Sequence, residues 1–227
     1  MKTPLILLHG ALGSAAQFES LKRLLEDQYE IHTLDFEGHG KRASQNAFAI
    51  DDFVENLLDY IADLGLSKVR VFGYSMGGYV ALSAAAKIPE PFAKIITLGT
   101  KFEWNPAVAA QEVKQLNPDK ITEKVPKFAA RLSDLHGEKE WLVMMQKTKE
   151  LMLDMGNGKR TADAIFASIK TPTIIGWGDQ DQMVSRAESE KYADLIGAAF
   201  VVLNDVPHPI DLIDKHKLKN YITSHLK

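Results

Sequence analysis

The chain has 227 residues, room for one domain with a modest insertion, and its balance of 45% apolar to 25% charged residues is that of an ordinary globular protein. A formal net charge of -3 gives no electrostatic reason to expect nucleic acid or an anionic membrane as partner. The absence of cysteine excludes disulfides, thiolate zinc sites and a cysteine nucleophile, and it is compatible with the location expected here, the cytoplasm.

In chain order, apolar β-rich runs alternate with segments of helical period. Lys2 followed by Leu5 to Leu8 has the look of a short signal peptide. The run is too short for one, however, and His9-Gly10 interrupts it, so Pro4 to Leu8 reads as a strand buried on both faces. Ser14 with Gln17 forms a capping-box pattern ahead of Phe18, Leu21, Leu24 and Leu25 at helical spacing. Tyr29 to Asp35 reads as the next strand. Asp51 to Leu64 is a helix with Phe53, Leu57, Ile61 and Leu64 on one face, and Gly65 is placed to end it. Lys68 to Phe72 is a strand, followed by a Gly-rich turn and an Ala-rich helix that Pro89 stops. Ala93 to Leu98, Pro172 to Trp177 and Ala199 to Leu203 are three more strands. Between the last two, Ser185 with Glu188 repeats the capping box and Gly197 closes a helix. The basic run Lys215 to Lys219 reads as the solvated face of a terminal helix.

This alternation predicts an α/β fold: a mostly parallel, twisted sheet of about six strands with helices on both faces. Residues 101–170 break the rhythm. They show no convincing strand and two or three amphipathic helical stretches rich in Lys, Glu and Met. They are expected to form a helical lid over the strand ends, with 1–100 and 171–227 as the core. No stretch is long and apolar enough to span a bilayer.

In open parallel sheets the ligand site lies outside the carboxyl ends of the strands, so functional residues are sought just after strands. Gly73-Tyr74-Ser75-Met76-Gly77 matches G-x-S-x-G between a strand and a helix, the context that exposes a serine nucleophile on a strained turn. A serine hydroxyl needs an adjacent base. Of the seven histidines, only His208 follows the last strand in a turn bracketed by prolines, Pro207 and Pro209. His9 and His39 lie in Gly-rich loops, His136 in the insertion, His32 in a strand, and His216 and His225 on the last helix. The carboxylate that orients the base can come from Asp181 or Asp179, both after Trp177, or from Asp205.

These motifs resemble the α/β-hydrolase family over most of the chain. His9-Gly10 is similar to the family's strand-ending His-Gly, and Asp35-Phe36-Glu37-Gly38-His39-Gly40 to its Asp-x-x-Gly-His-Gly stretch. Gly73 to Gly77 resembles its nucleophile elbow, Gly176 to Asp181 its acid loop, and Val206-Pro207-His208 its histidine turn. The chain resembles a compact form that begins at the His-Gly strand and lacks the family's first two strands. The resemblance implies a Ser75–Asp181–His208 triad. It also implies an oxyanion hole made of the backbone N–H groups of Ala11 and Met76.

Pocket candidates are Tyr74, Trp104, Met144 and Met145. The methionine stripe can serve either as an adaptable acyl pocket or as the face by which a lid packs on the body. No metal motif and no phosphate loop is present, Gly38 to Lys41 being too short for one, and no cofactor is called for. The expected function is hydrolysis of a small carboxylic ester or thioester through an acyl-serine. The alternatives are carbon–carbon bond hydrolysis or lysis, or peracid formation, at the same site. A non-catalytic ligand binder on this fold is the remotest. The expected partner is a small acyl substrate, and the sequence carries no signal of oligomeric state.

Overall fold

The structure is a computed structural model that describes residues 2–226. Six strands, β1 (Thr3–Leu8), β2 (Tyr29–Leu34), β3 (Val69–Tyr74), β4 (Phe92–Leu98), β5 (Thr173–Gln180) and β6 (Ala199–Pro207), form one sheet. All pairs are parallel, in the order β2-β1-β3-β4-β5-β6. The strands are flanked by α1 (Glu19–Leu25), α2 (Ile50–Asp63) and α3 (Met76–Lys87). Between β4 and β5 come α4 (Pro106–Glu112), α5 (Pro118–Lys124), α6 (Pro126–His136), α7 (Glu140–Gly156) and α8 (Asp163–Phe166). The chain ends with α9 (Arg186–Ile196) and α10 (Lys215–His225).

Successive strand residues point to opposite faces, and the core divides accordingly. Ile6, Leu8, Val71 and Ile95 pack with α2, α3 and α9 through Phe53, Val80 and Tyr192. Leu5, Leu7, Phe72 and Ile96 pack with α1 and α10 through Leu21, Leu25, Leu218 and Ile222. Parallel strands covered on both sides explain why β1 and β3 read as continuous apolar runs rather than alternating ones.

The strand order reverses between β1 and β3. The chain runs outward from β1 to β2, then returns across β1 to β3 and continues to the other edge. A crevice opens at such a switch point, at the carboxyl ends of the two diverging strands. Those ends carry His9-Gly10-Ala11 and Ser75.

Helix ends follow local chemistry in some places and tertiary contacts in others. Gly65 (φ 61) and Gly197 (φ 73) terminate α2 and α9 in the left-handed region, as expected of glycine. Ser185 caps α9 by accepting from the N–H of Glu188 at 3.1 Å. The Glu188 carboxylate, however, does not close the box. It accepts instead from the N–H groups of Phe102 (2.6 Å) and Glu103 (2.8 Å), and burial raises its pKa. The predicted box at Ser14 is absent. Asp35 reaches across from the end of β2 and accepts the N–H of Ala15 at 2.6 Å, and Ser14 Oγ and Gln17 Oε1 are buried without partners among the described residues.

The segment 101–170 holds five α-helices, and a short 3-10 turn at Val113–Gln115, rather than two or three helical stretches. Pro106, Pro118 and Pro126 each sit in the first turn of a helix, with Asn105 and Asn117 capping α4 and α5. Proline there is favourable but cannot continue a helix from the preceding turn, so the chain is cut into short pieces. Leu116, Leu132, Trp141 and Leu151 of this segment share one apolar cluster with Phe53 and Val80 of the body.

Two histidines cement the loops after β1 and β2. His9 is fully buried. Its Nε2 accepts the N–H of Phe36 (3.2 Å), and its Nδ1 lies 2.8 Å from Gly10 O. His39 is buried, stacked on Phe48. Burial pushes His9 down to about 4 and His39 well below its usual value. The unfolded chain therefore takes up these protons first as pH falls through about 6.5. Stability is complete above that pH and declines toward pH 4, by up to about 1.4 kcal/mol per pH unit for each histidine. Urea unfolding between pH 7 and 5 at fixed ionic strength is expected to show this slope; a flat line would contradict neutral burial.

Candidate active site

Ser75 occupies φ 51, ψ -118, a strained conformation forced by the turn from β3 into α3. The turn is held by the Ser75 N–H donating to Leu98 O (2.9 Å) and by Thr100 Oγ1 donating to Ser75 O (3.2 Å). Neighbouring chain passes too close for side chains. A Cβ on Gly77 would lie 2.4 Å from Leu8 O, and one on Gly10 would lie 3.0 Å from Ser75 Cβ. The His9-Gly10-Ala11 loop is thus packed directly against the serine. Met76 opens the twelve-residue α3, so its N–H is free of the helix ladder and lies at the positive end of the helix dipole. Among the described residues, no protein acceptor takes a hydrogen bond from the N–H of Ala11 or Met76.

His208 Nδ1 lies 2.7 Å from Asp181 Oδ2. The other oxygen, Oδ1, accepts the N–H groups of Met183 (2.8 Å) and Val184 (2.9 Å), and only 2% of the Asp181 side chain is exposed. These bonds fix the carboxylate, and it in turn fixes the ring. A register shift between Gly178 and Gln180 in the β5–β6 pairing bends the strand end there. Asp179 is turned to the N–H of Val206 (3.3 Å), and Asp205 lies exposed, 3.8 Å from Lys217. Of the three candidate acids, the structure pairs Asp181 with the ring.

Three supporting roles, at Tyr74, Gly99 and His136, escaped the sequence reading. The Tyr74 hydroxyl donates to His208 O at 2.6 Å, and burial raises that phenol well above its ordinary pKa, so it serves as a fixed strut. Gly99 (φ 63) lies beneath the pair; a Cβ there would come within 3.1 Å of Asp181 Oδ2 and 3.2 Å of His208 Nδ1. His136 joins Gly40 to Leu12. A positive-φ glycine just beyond β4 was readable in principle, whereas the other two contacts span 134 and more than 90 residues.

Ser75, Met76, Ala11 and His208 line one cavity of about 950 Å³. Tyr74 and Trp104 line it too, but Met144 and Met145 do not. These two are packed into the apolar core, 2% and 0% exposed. Met152 and Met155, farther along the same helix, reach the cavity instead. One ion pair interrupts the apolar wall: Lys101 Nζ lies 3.2 Å from Glu112 Oε1 and donates to Met183 O at 2.9 Å. At the mouth, Arg131 on α6 meets Asp211, three residues past His208, at 2.6 Å. No group of three or more metal-ligating side chains is found among the described residues, and no helix among them is long and apolar enough to cross a membrane.

An aspartate–imidazole pair, a serine on a strained turn and two unengaged N–H groups around one cavity are the parts that acyl transfer requires. Among relatives, a 2-hydroxy-6-oxononadienedioate/2-hydroxy-6-oxononatrienedioate hydrolase of Klebsiella pneumoniae is 26% identical over 91% of this chain and 81% of its own length. An sn-1-specific diacylglycerol lipase of Danio rerio is 28% identical over 57% of the chain. The chain spans between 27% and 51% of the length of that lipase and three further relatives. Among solved structures, the enol-lactonase of Burkholderia xenovorans superposes with a TM-score of 0.80 at 18% identity, covering 100% of this chain and 92% of that one. The family model for the alpha/beta hydrolase fold matches residues 3–135, more than half of the chain. The chain belongs to the α/β-hydrolase family.

Proposed function

We propose that this protein hydrolyses carboxylic esters or thioesters of apolar acyl groups through an acyl-Ser75 intermediate. The observation that carries the reading is the 2.7 Å contact between His208 Nδ1 and Asp181 Oδ2 in the wall of the cavity that holds Ser75. With its proton held on Nδ1 by the carboxylate, the ring keeps Nε2 basic. Nε2 takes the Ser75 proton as Oγ attacks the carbonyl carbon, and the N–H groups of Ala11 and Met76 receive the oxyanion. Collapse expels the alcohol or thiol, which leaves with that proton. Water, deprotonated by the same nitrogen, then attacks the ester and releases the acid and free Ser75.

Residues 101–170 act as a lid. Trp104, Leu151, Met152 and Met155 provide the acyl wall. Burial of each added methylene is worth about 0.8 kcal/mol, roughly fourfold in kcat/KM. A series of p-nitrophenyl esters from acetate to octanoate is expected to climb by up to that factor per carbon until the wall is full, and a fluorophosphonate is expected to label Ser75. A series that is flat or falling from acetate onward contradicts an apolar acyl site.

Carbon–carbon bond hydrolysis is the second reading. It is favoured by the relative aligned along 91% of the chain, whose named substrate is a hydroxy-oxo diacid with no ester linkage. Faster turnover of vinylogous diketones than of any ester in the panel would select it.

A further inference from the structure

We propose that His136, carried on α6 of the inserted segment, is a positioning residue that holds the oxyanion loop in its working shape. The inference rests on the acyl-serine reading, in which the Ala11 N–H receives the oxyanion. The His136 side chain is buried and bridges two loops: Nδ1 accepts the N–H of Gly40 at 2.9 Å, and Nε2 lies 3.0 Å from Leu12 O. The first contact requires a bare Nδ1, so the single proton of the neutral ring sits on Nε2 and is donated to Leu12. Burial favours that neutral ring by lowering its pKa.

Leu12 is one of only a few non-glycine residues at positive φ (59°) among the described residues, and its carbonyl lies two peptide units beyond the Ala11 N–H. A leucine stays in that region only where its surroundings over-determine it. The loop's two ends are tied to the chain after β2, through Phe36 N–H to His9 Nε2 (3.2 Å) and Ala15 N–H to Asp35 Oδ1 (2.6 Å). His136 ties the middle from a third element, 124 residues away. The inserted segment thereby completes the oxyanion hole as well as covering the cavity.

Two variants of the full chain separate positioning from simple packing. In His136→Asn, the amide oxygen can replace Nδ1 and keep Gly40, while Leu12 loses its donor. In His136→Gln, the amide nitrogen can reach toward Leu12, while Gly40 loses its acceptor. Each leaves one buried group unpaired, so both are expected to lower Tm to a similar degree. Only His136→Asn is expected to lower kcat by about tenfold or more, with KM within twofold and trifluoromethyl ketone affinity reduced in proportion to kcat/KM. His136→Gln is expected to retain kcat within about threefold.

Equal kcat in the two variants, or a loss confined to KM, overturns the proposal. If His136→Asn does not fold, the unaltered protein decides: long-range nitrogen–proton NMR places the imidazole proton on Nε2, and an Nδ1–H ring overturns it. Fluorophosphonate labelling of the unaltered protein is read separately. No label at Ser75 means that the acyl-serine reading has failed; label at Ser75 with unselective variants means that only the role of His136 has.

Discussion

Replacing Ser75 with alanine is expected to lower kcat on a p-nitrophenyl ester by about 10⁴-fold or more while the protein remains folded. The hydroxyl oxygen is the only heavy atom deleted. The bonds that hold the turn use the Ser75 backbone: its N–H to Leu98 O and its carbonyl to Thr100 Oγ1. The φ of 51° is imposed by β3 and α3 rather than by the side chain, so circular dichroism and Tm should change little. Residual turnover would come from the unaltered N–H groups of Ala11 and Met76 acting on water attack. Activity within tenfold of the parent, in a sample shown to be free of contaminating esterase, would remove Ser75 from the mechanism.

Asp181→Asn is expected to lower kcat by about 10³- to 10⁴-fold, and Asp179→Asn to change it by only a few-fold. The asparagine oxygen can still accept from Met183 and Val184, so the loop keeps its shape. The amide nitrogen then faces His208 Nδ1 and donates to it. That moves the imidazole proton to Nε2, where it blocks abstraction of the serine proton. Asp179 makes its contact with the backbone of Val206 and has no such leverage on the ring. Steady-state kinetics of the two variants, side by side, test the assignment. A large loss at residue 179 with none at residue 181 would reverse it.

How much of this was legible in the sequence depends on how local each decision is. The β-rich runs, the glycines that end α2 and α9, the turn around Ser75 and the proline-bracketed His208 are settled by a few neighbouring residues. Side-chain period, allowed φ and the missing proline N–H act over that range, and each can be read without coordinates. The Asn-Pro pairs at 105–106 and 117–118 belong to the same class; they mark the starts of α4 and α5 and were readable.

Other features were decided between distant segments. Ser14 lost its expected cap because Asp35, 20 residues from Ala15, reached the helix end first. Met144 and Met145 share a helix with Met152 and Met155, but only the way α7 packs among its neighbours determines which pair meets the cavity. Local chemistry left three aspartates near two strand ends open, with Asp181 favoured only by family resemblance, and in the fold the shifted β5–β6 register accompanies the turn of that one to the imidazole.

By itself, then, the sequence determined the alternation of strands and helices, the strained turn at Ser75 and the proline-bracketed turn at His208, because short-range sterics and periodicity dictate them. The tertiary structure decided that Asp181, favoured by resemblance but not by local chemistry, meets the imidazole, which methionines wall the cavity and what braces the loop at Leu12. Those outcomes depend on atoms up to 124 residues apart brought to about 3 Å, and no local pattern encodes that distance.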